Sequence, residues 1–162
     1  MIIKLDNKDA KLPDFLIVGA AKSGTSSLYH YLRQHPQIFM PNHKEPCFFT
    51  FAGKRPTDLQ SNVGLKVIND FDQYVSLFEF SSRSQKLGEA STCYLYHYDK
   101  TIRTIKKYHR RWQDLKIIIA LRNPILRAYS HYLNHVRDGL ETSSFRDLVK
   151  RHQVGKNLKA SP

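Results

Sequence analysis

The sequence predicts an α/β fold with a central parallel sheet flanked by helices, and three observations carry that expectation. Two short runs, FLIVG at 15–19 and LKIIIAL at 115–121, are apolar enough for strands covered on both faces. Each passes directly into a segment of helical periodicity. Further helical segments lie between them, so strands and helices alternate. That order builds a parallel sheet and places ligands at the carboxyl ends of its strands.

The elements follow in order along the chain. A polar leader, 1–12, precedes the strand Phe15–Gly19, and Ser26–Gln34 reads as a helix that stops near His35-Pro36. Residues 36–66 read mostly as loop, interrupted by the apolar-aromatic run Cys47–Phe51. Phe71–Phe80 has helical spacing, and Leu87–Thr92 is expected to form a short strand. Asp99 is placed to cap a helix from Lys100 to about Trp112, with Ile102, Ile105 and Tyr108 on one face. After the strand Leu115–Leu121, Pro124 fits the first turn of a helix over Ile125–Arg137. Ser143 or Ser144 opens a last helix through Arg151, and 153–162 reads as a tail. Three strands are few for a sheet of this kind, so the C-terminal part of a larger domain is expected to be missing. Tyr94, Tyr96 and Tyr98 alternate as on one face of a strand, with core packing preferred over stacking on a sugar.

A formal net charge of +12 suits polyanionic partners: nucleic acid, anionic membrane, or ligands bearing phosphate or sulfate. A solvated basic surface explains the charge alone equally well. Cys47 and Cys93 have no metal-ligand spacing and form no disulfide framework, so both are expected as small buried residues in a reducing compartment. The N-terminus holds no apolar segment of signal-peptide or membrane-spanning length, and a cytoplasmic setting is expected.

The loop GAAKSGTSS at 19–27 carries the chemistry. Its glycines let the backbone turn close to an anion, and the amides opening the next helix favour negative charge. Lys22 adds a full positive charge, and Thr25, Ser26 and Ser27 add hydroxyls. The order is GxxKSGTS, with the lysine before the second glycine, whereas a nucleoside-triphosphate loop is GxxxxGK followed by Ser or Thr.

This stretch, GAAKSGTSSLYHYL, resembles the 5′-phosphosulfate loop of sulfotransferases that use 3′-phosphoadenosine 5′-phosphosulfate (PAPS). The segment at 115–141, LKIIIALRNPILRAYSHYLNHVRDGLE, resembles their 3′-phosphate motif. The resemblance covers roughly residues 13 to 150 and implies a three-layer P-loop-like fold, a sulfotransferase domain over 13–152, and PAPS as co-substrate without a metal. It assigns Lys22, Ser23, Gly24, Thr25, Ser26 and Ser27 to the phosphosulfate, and Arg122 and Ser130 to the 3′-phosphate. The residues agree with that assignment, because a planar guanidinium at a strand end and a hydroxyl about two turns into the next helix suit a phosphate dianion. Arg127, a neighbour on the same helix, suits a structural ion pair with an acidic side chain equally well.

Between the motifs, PNHKEPCFFTF at 41–51 resembles the KEP-x-FF segment of the carbohydrate-directed branch, which includes heparan sulfotransferases. That resemblance gives Glu45 the role of general base beside Lys22, and it implies a carbohydrate or other hydroxyl or amine acceptor. The chemistry needs a base, since an attacking alcohol or amine must lose its proton. A salt bridge between Glu45 and a neighbouring lysine is the plainer alternative, and His43 is the competing base. LGEASTCYLYH at 87–97 resembles the family's segment near the acceptor cleft. There Ala90 replaces the lysine of many heparan-type members, so a heparan-like substrate is not inferred.

Two rivals remain. A small-molecule kinase would need an Asp at a strand end to hold Mg²⁺, where this chain has Leu121-Arg122-Asn123. A nucleic-acid module would rest on the net charge and on KKYHRR at 106–111, which reads better as the solvated face of a helix.

Overall fold

The computed structural model describes residues 10–54 and 67–158, with no side chains described for 152–158. The leader's first nine residues, part of the expected 36–66 loop and the last four residues therefore lie outside it. The chain divides into two compact units, Met1–Leu121 and Arg122–Pro162.

The first unit is built on four parallel strands in the order β2-β3-β1-β4: β1 Phe15–Gly19, β2 Ile38–Phe39, β3 Lys86–Ala90 and β4 Lys116–Ile119. Helix α1, Thr25–Arg33, follows β1. Four helices lie between β2 and β4: α2 Phe48–Phe51, α3 Phe71–Ser76, α4 Cys93–Tyr96 and α5 Tyr98–Tyr108. Alternation along β1 sends its side chains to opposite faces. Leu16 and Val18 pack with Phe48, Phe49, Tyr74, Phe78, Tyr94 and Ile105, while Phe15 and Ile17 pack with Tyr29, Met40 and Ala90. Helices cover both faces, which gives the three layers expected.

The first of these cores is mostly rings. Phe48 stacks on Tyr74 at 4.4 Å between centroids and meets Phe49 and Tyr108 edge-on. Burying one such ring contributes about 2 to 3 kcal/mol, so the run Cys47–Phe51 anchors the loop that precedes it. On the other face, Gly88 pairs with Phe15 across the sheet, and a Cβ there would overlap the Phe15 ring and the Met40 sulfur. Asp14 ties the amino ends of three strands. Its amide donates to Leu87 O at 2.7 Å, its Oδ2 accepts from Leu87 N at 2.8 Å, and its carbonyl accepts from Lys116 N at 2.9 Å.

The second unit is a helical hairpin, α6 Pro124–Arg137 and α7 Phe145–Leu158. Pro124 occupies the first turn of α6, as expected, and Asn123 caps it. The Phe145 ring packs against Tyr129 and Tyr132, and the Tyr132 hydroxyl donates to Ser143 O at 3.1 Å. The Ser144 hydroxyl is 2.6 Å from Asp147 Oδ2 and accepts from Asp147 N, so Ser144 opens α7. The helix runs on to Leu158 instead of ending at Arg151.

Several expectations are corrected. Strand β2 was unexpected, because a two-residue strand has no periodicity to read. The helix at 71 stops at Ser76 and gives way to turns. Asp99 lies in the first turn of α5, whose N-cap is His97. Tyr94, Tyr96 and Tyr98 lie on no strand: α4 buries Tyr94 and exposes Tyr96, and Tyr98 is exposed at the start of α5. Cys47 is buried and Cys93 only half-buried, and both are free thiols. The run at 115–121 forms β4 as expected, at the sheet edge beside β1, but Ile117, Ile119 and Leu121 are exposed, so β4 is not covered on both faces.

Candidate active site

The β1–α1 loop sits at the carboxyl end of β1. Ala20 N and Ala120 O, and Ala120 N and Gly19 O, bond at 2.9 and 2.8 Å and carry the pairing with β4 to the loop's edge. Lys22 has a positive φ of 65°, and Ser23 N turns back to Ala20 O. Gly24, at φ 87°, is the N-cap of α1. A Cβ on Gly24 would touch nothing, so glycine serves the left-handed conformation here, not space. The α1 ladder opens with Leu28 N donating to Gly24 O, which places the amides of Thr25, Ser26 and Ser27 ahead of it. Thr25 is buried, while Ser26 and Ser27 are exposed. Ser23 Oγ is buried without a hydrogen-bond partner, one of two such side-chain atoms among the described residues. An orphaned hydroxyl beside helix-opening amides and a lysine is chemistry suited to an oxyanion.

Glu45 lies beside the carboxyl end of the neighbouring strand, β3. Its amide donates to Ala90 O at 3.0 Å, and its Oε2 accepts from Thr92 N at 2.7 Å, with the Thr92 hydroxyl 3.3 Å from both oxygens. Lys44 Nζ is 2.7 Å from Oε1, so the plainer salt bridge weighed for this residue is present. The carboxylate side chain keeps 19% of its surface exposed and can still meet a ligand. Glu45 and Cys47 both have left-handed φ, 60° and 53°, unusual for residues with side chains. His43 is half-buried.

Beneath Glu45 is a residue that motif reading passed over. Glu89 is fully buried; its Oε1 accepts from Ser91 Oγ at 2.6 Å, and its Oε2 accepts from the hydroxyls of Tyr94 at 2.7 Å and Tyr74 at 3.2 Å. Burial pushes its carboxyl up to about 7 against the pull of the Ser91 and Tyr94 hydrogen bonds, and the charge of Glu45 adds to the rise. Burial also raises the Tyr74 and Tyr94 phenols, with Glu89 contributing. The hydrogen bond to Cys93, then burial, holds the Cys47 thiol high. The signal that could have found Glu89 is a charged residue inside an otherwise apolar strand, LGEA, which must be buried with partners.

Arg122 and Ser130 belong to the second unit. Arg122 is exposed immediately before the cap of α6, and Ser130 and Arg127 are half-buried along that helix. Asn123 Oδ1 accepts from Ile125 N at 3.0 Å and Leu126 N at 3.2 Å. At this helix start the first amides are thus engaged by the chain itself, and side chains are what remain for a ligand. The run 106–111 leaves Lys106, Lys107, Arg110 and Arg111 exposed and His109 buried, with its Nε2 2.8 Å from Pro13 O. Among the described residues, no three His, Cys, Asp or Glu side chains are grouped to hold a metal ion, and no helix is long and apolar enough to cross a membrane.

A parallel sheet with helices on both faces, a glycine–lysine loop after β1 and a carboxylate beside β3 place the chain in the α/β class. The sequence pattern of the Sulfotransferase family matches residues 13–159, and the chain belongs to that family. It is 32% identical over 131 residues to the membrane-associated sulfotransferase kil1 of Dictyostelium discoideum, covering 80% of this chain and 24% of that protein. It is 31% identical to human heparan sulfate glucosamine 3-O-sulfotransferase 6, covering 90% of this chain and 37% of that one. A sulfotransferase crystal structure from Alicyclobacillus acidocaldarius superposes with a TM-score of 0.72 at 40% identity, over 94% of this chain and 61% of that one. The chain thus spans well under half the length of these two curated relatives.

Proposed function

We propose that this chain forms the donor-binding and base-bearing part of an enzyme that transfers a sulfuryl group from PAPS to a hydroxyl or amine, most simply of a carbohydrate. The observation that carries the reading is the β1–α1 loop, where a buried hydroxyl without a partner, Ser23 Oγ, stands with Lys22 and the amides ahead of the α1 ladder. These residues fit a phosphosulfate. Lys22 neutralises charge that builds on the bridging oxygen as the sulfuryl group leaves, and the amides of Thr25 to Ser27 with the hydroxyls of Ser23, Thr25, Ser26 and Ser27 orient the terminal oxygens. Arg122 and Ser130 take the 3′-phosphate, a guanidinium and a hydroxyl being suited to a dianion. Glu45, held by the Thr92 amide, accepts the proton that the acceptor loses during attack at sulfur. No metal has a part in this scheme.

Two comparisons support a sugar acceptor, since relatives bear the names heparan sulfate glucosamine 3-O-sulfotransferase 6 and, in mouse, carbohydrate sulfotransferase 15 at 28% identity. Ala90, packed with Phe15, Ile17, Tyr29 and Met40, offers no charge to a polyanionic sugar, so the reading stops at a carbohydrate and does not extend to a heparan-like acceptor.

Calorimetric titration with 3′-phosphoadenosine 5′-phosphate, the desulfated product, is the direct test. It should bind more tightly than adenosine 5′-monophosphate; equal affinities would remove the assignment of Arg122 and Ser130. Glu45→Gln should leave that binding unchanged and lower turnover by about two to four orders of magnitude. Full turnover in Glu45→Gln, with loss in His43→Ala, would move the base to His43.

A further inference from the structure

Three backbone amides tie the loop that carries Glu45 to the end of β3, beside the longer contacts of the Thr92 hydroxyl with the Glu45 carboxylate. Glu45 N donates to Ala90 O, Thr92 N donates to the Glu45 carboxylate, and Cys47 N donates to Ser91 Oγ at 2.9 Å. The first is wholly backbone, the second uses the Glu45 side chain itself, and the last depends on a serine hydroxyl that is free to rotate. A serine hydroxyl can accept from Cys47 N in a fixed direction only if its own proton is engaged elsewhere. Here that proton goes to Glu89 Oε1, at 2.6 Å. Glu89 is in turn fixed by two phenols, Tyr94 from α4 and Tyr74 from α3. The chain of contacts therefore runs from the buried carboxyl through Ser91 to the backbone two residues after Glu45. The two residues it must hold in place, Glu45 and Cys47, both have left-handed backbones that relax without such restraint.

We propose that Glu89 is a positioning residue for Glu45: by orienting the Ser91 hydroxyl onto the Cys47 amide, it fixes the loop so that the Glu45 carboxylate faces the acceptor. This rests on the reading of Glu45 as the base. Glu89 itself is fully buried and touches no reactant.

The test uses amide hydrogen exchange by NMR on the full chain, which needs no acceptor and no turnover. In Glu89→Gln and Ser91→Ala the amides of Cys47 and Thr92 should exchange about ten times faster than in the parent, the scale of losing one buried hydrogen bond. The β1 amides of Leu16 and Ile17 should be unchanged. Unaltered exchange at Cys47 in Ser91→Ala would overturn the proposal, and so would a uniform rise that includes Leu16 and Ile17, which signals lost stability alone. If Glu89→Gln does not fold, the Thr92 amide in Ser91→Ala decides. The substitution removes the Cys47 acceptor outright, so only a rise at Thr92 as well shows that the link holds Glu45, and unaltered exchange at Thr92 would overturn the proposal.

Kinetics on an active form add a separate readout. Glu89→Gln should lower kcat about tenfold with KM unchanged, and adding it to Glu45→Gln should cost nothing more. Independent, multiplicative losses would show that Glu89 does not act through Glu45. Retained turnover in Glu45→Gln alone would instead defeat the base assignment and leave the amide result standing.

Discussion

At the junction after β1, α1 is capped by Gly24, which has no side chain, whereas at the junction after β4, Asn123 folds its Oδ1 over the amides of Ile125 and Leu126. The topology is the same in both places: a parallel strand ends and a helix begins. The difference lies in what each junction has left to offer. The first keeps the amides of Thr25 to Ser27 ahead of its helical ladder and adds Lys22; the second has engaged its amides and presents Arg122 and Ser130. A bare backbone cradle suits a group whose charge changes during reaction, because fixed dipoles need no reorganisation. Side-chain recognition suits a phosphate that only has to be identified. The foundations differ as well. Unit one buries two apolar clusters around β1, while α6 has no buried residue among those described.

The largest effect should come from breaking the first junction. Lys22→Ala is expected to weaken PAPS binding and reduce sulfuryl transfer about a thousandfold or more, since a full charge at the leaving oxygen is lost. Activity within about tenfold of the parent, in a radiolabelled transfer assay, would show that the amides suffice.

Next in size is an effect confined to unit one. The folded state holds the Glu89 proton more tightly than the unfolded chain does, with a pKa of about 7 against 4.5. Its contribution to stability is therefore fully present below about pH 4.5 and lost as pH rises through about 7. The groups facing Glu89 are Tyr74 from α3, Tyr94 from α4, Ser91, and Glu45 and Cys47 on the loop before α2. Denaturant titrations at pH 5 and pH 8 should show the parent losing about 2 to 3 kcal/mol more than Glu89→Gln over that interval. Parallel behaviour of the two would mean that the buried carboxyl stays ionised throughout.

Breaking the second junction should be milder and more selective. Arg122→Ala should erase the preference for 3′-phosphoadenosine 5′-phosphate over adenosine 5′-monophosphate, a loss of about ten- to a hundredfold for the first ligand and almost none for the second. Equal losses for both would show that Arg122 does not distinguish the 3′ end. The smallest change sharpens the contrast in caps. Asn123→Ala should cost about 1 kcal/mol of helix stability, read by circular dichroism during thermal unfolding. Gly24→Ala should cost a similar amount through its left-handed backbone.

The parts legible in the sequence were those governed by local pattern. β1, α1, α6 and the glycine–lysine loop each announce themselves within about ten residues, and Pro124 marked its helix start correctly. What escaped depends on distant partners. The exposure of β4 could not be read from KIII, because an apolar run does not say which of its faces the rest of the chain covers. His97 displaced Asp99 as the cap of α5 because the chain turns there directly out of α4, and that same turn separates Tyr94 and Tyr96 from Tyr98. The contact between Thr92 and Glu45 spans 47 positions, and that between Ser91 and Cys47 spans 44. No local periodicity encodes either. The roles given to Lys22, Glu45, Arg122 and Ser130 came from family resemblance joined to residue chemistry, and the geometry adds to them the Glu89–Ser91 support.

The tie made by Asp14 at the amino ends of the strands also bears on how the chain reaches this state. Asp14 meets Leu87 across 73 positions, and Pro13 meets His109 across 96. Every pairing in the sheet is parallel, so none can start from a tight hairpin. The polypeptide must close loops of that length before β1 gains either neighbour, and the entropy of closure is lost before any ladder forms. Folding should accordingly fall in the slow range of milliseconds to seconds, with β1 unpaired and apolar until β3 arrives. During that interval the segment Phe15–Gly19 is the part of the nascent chain most in need of protection from its own kind.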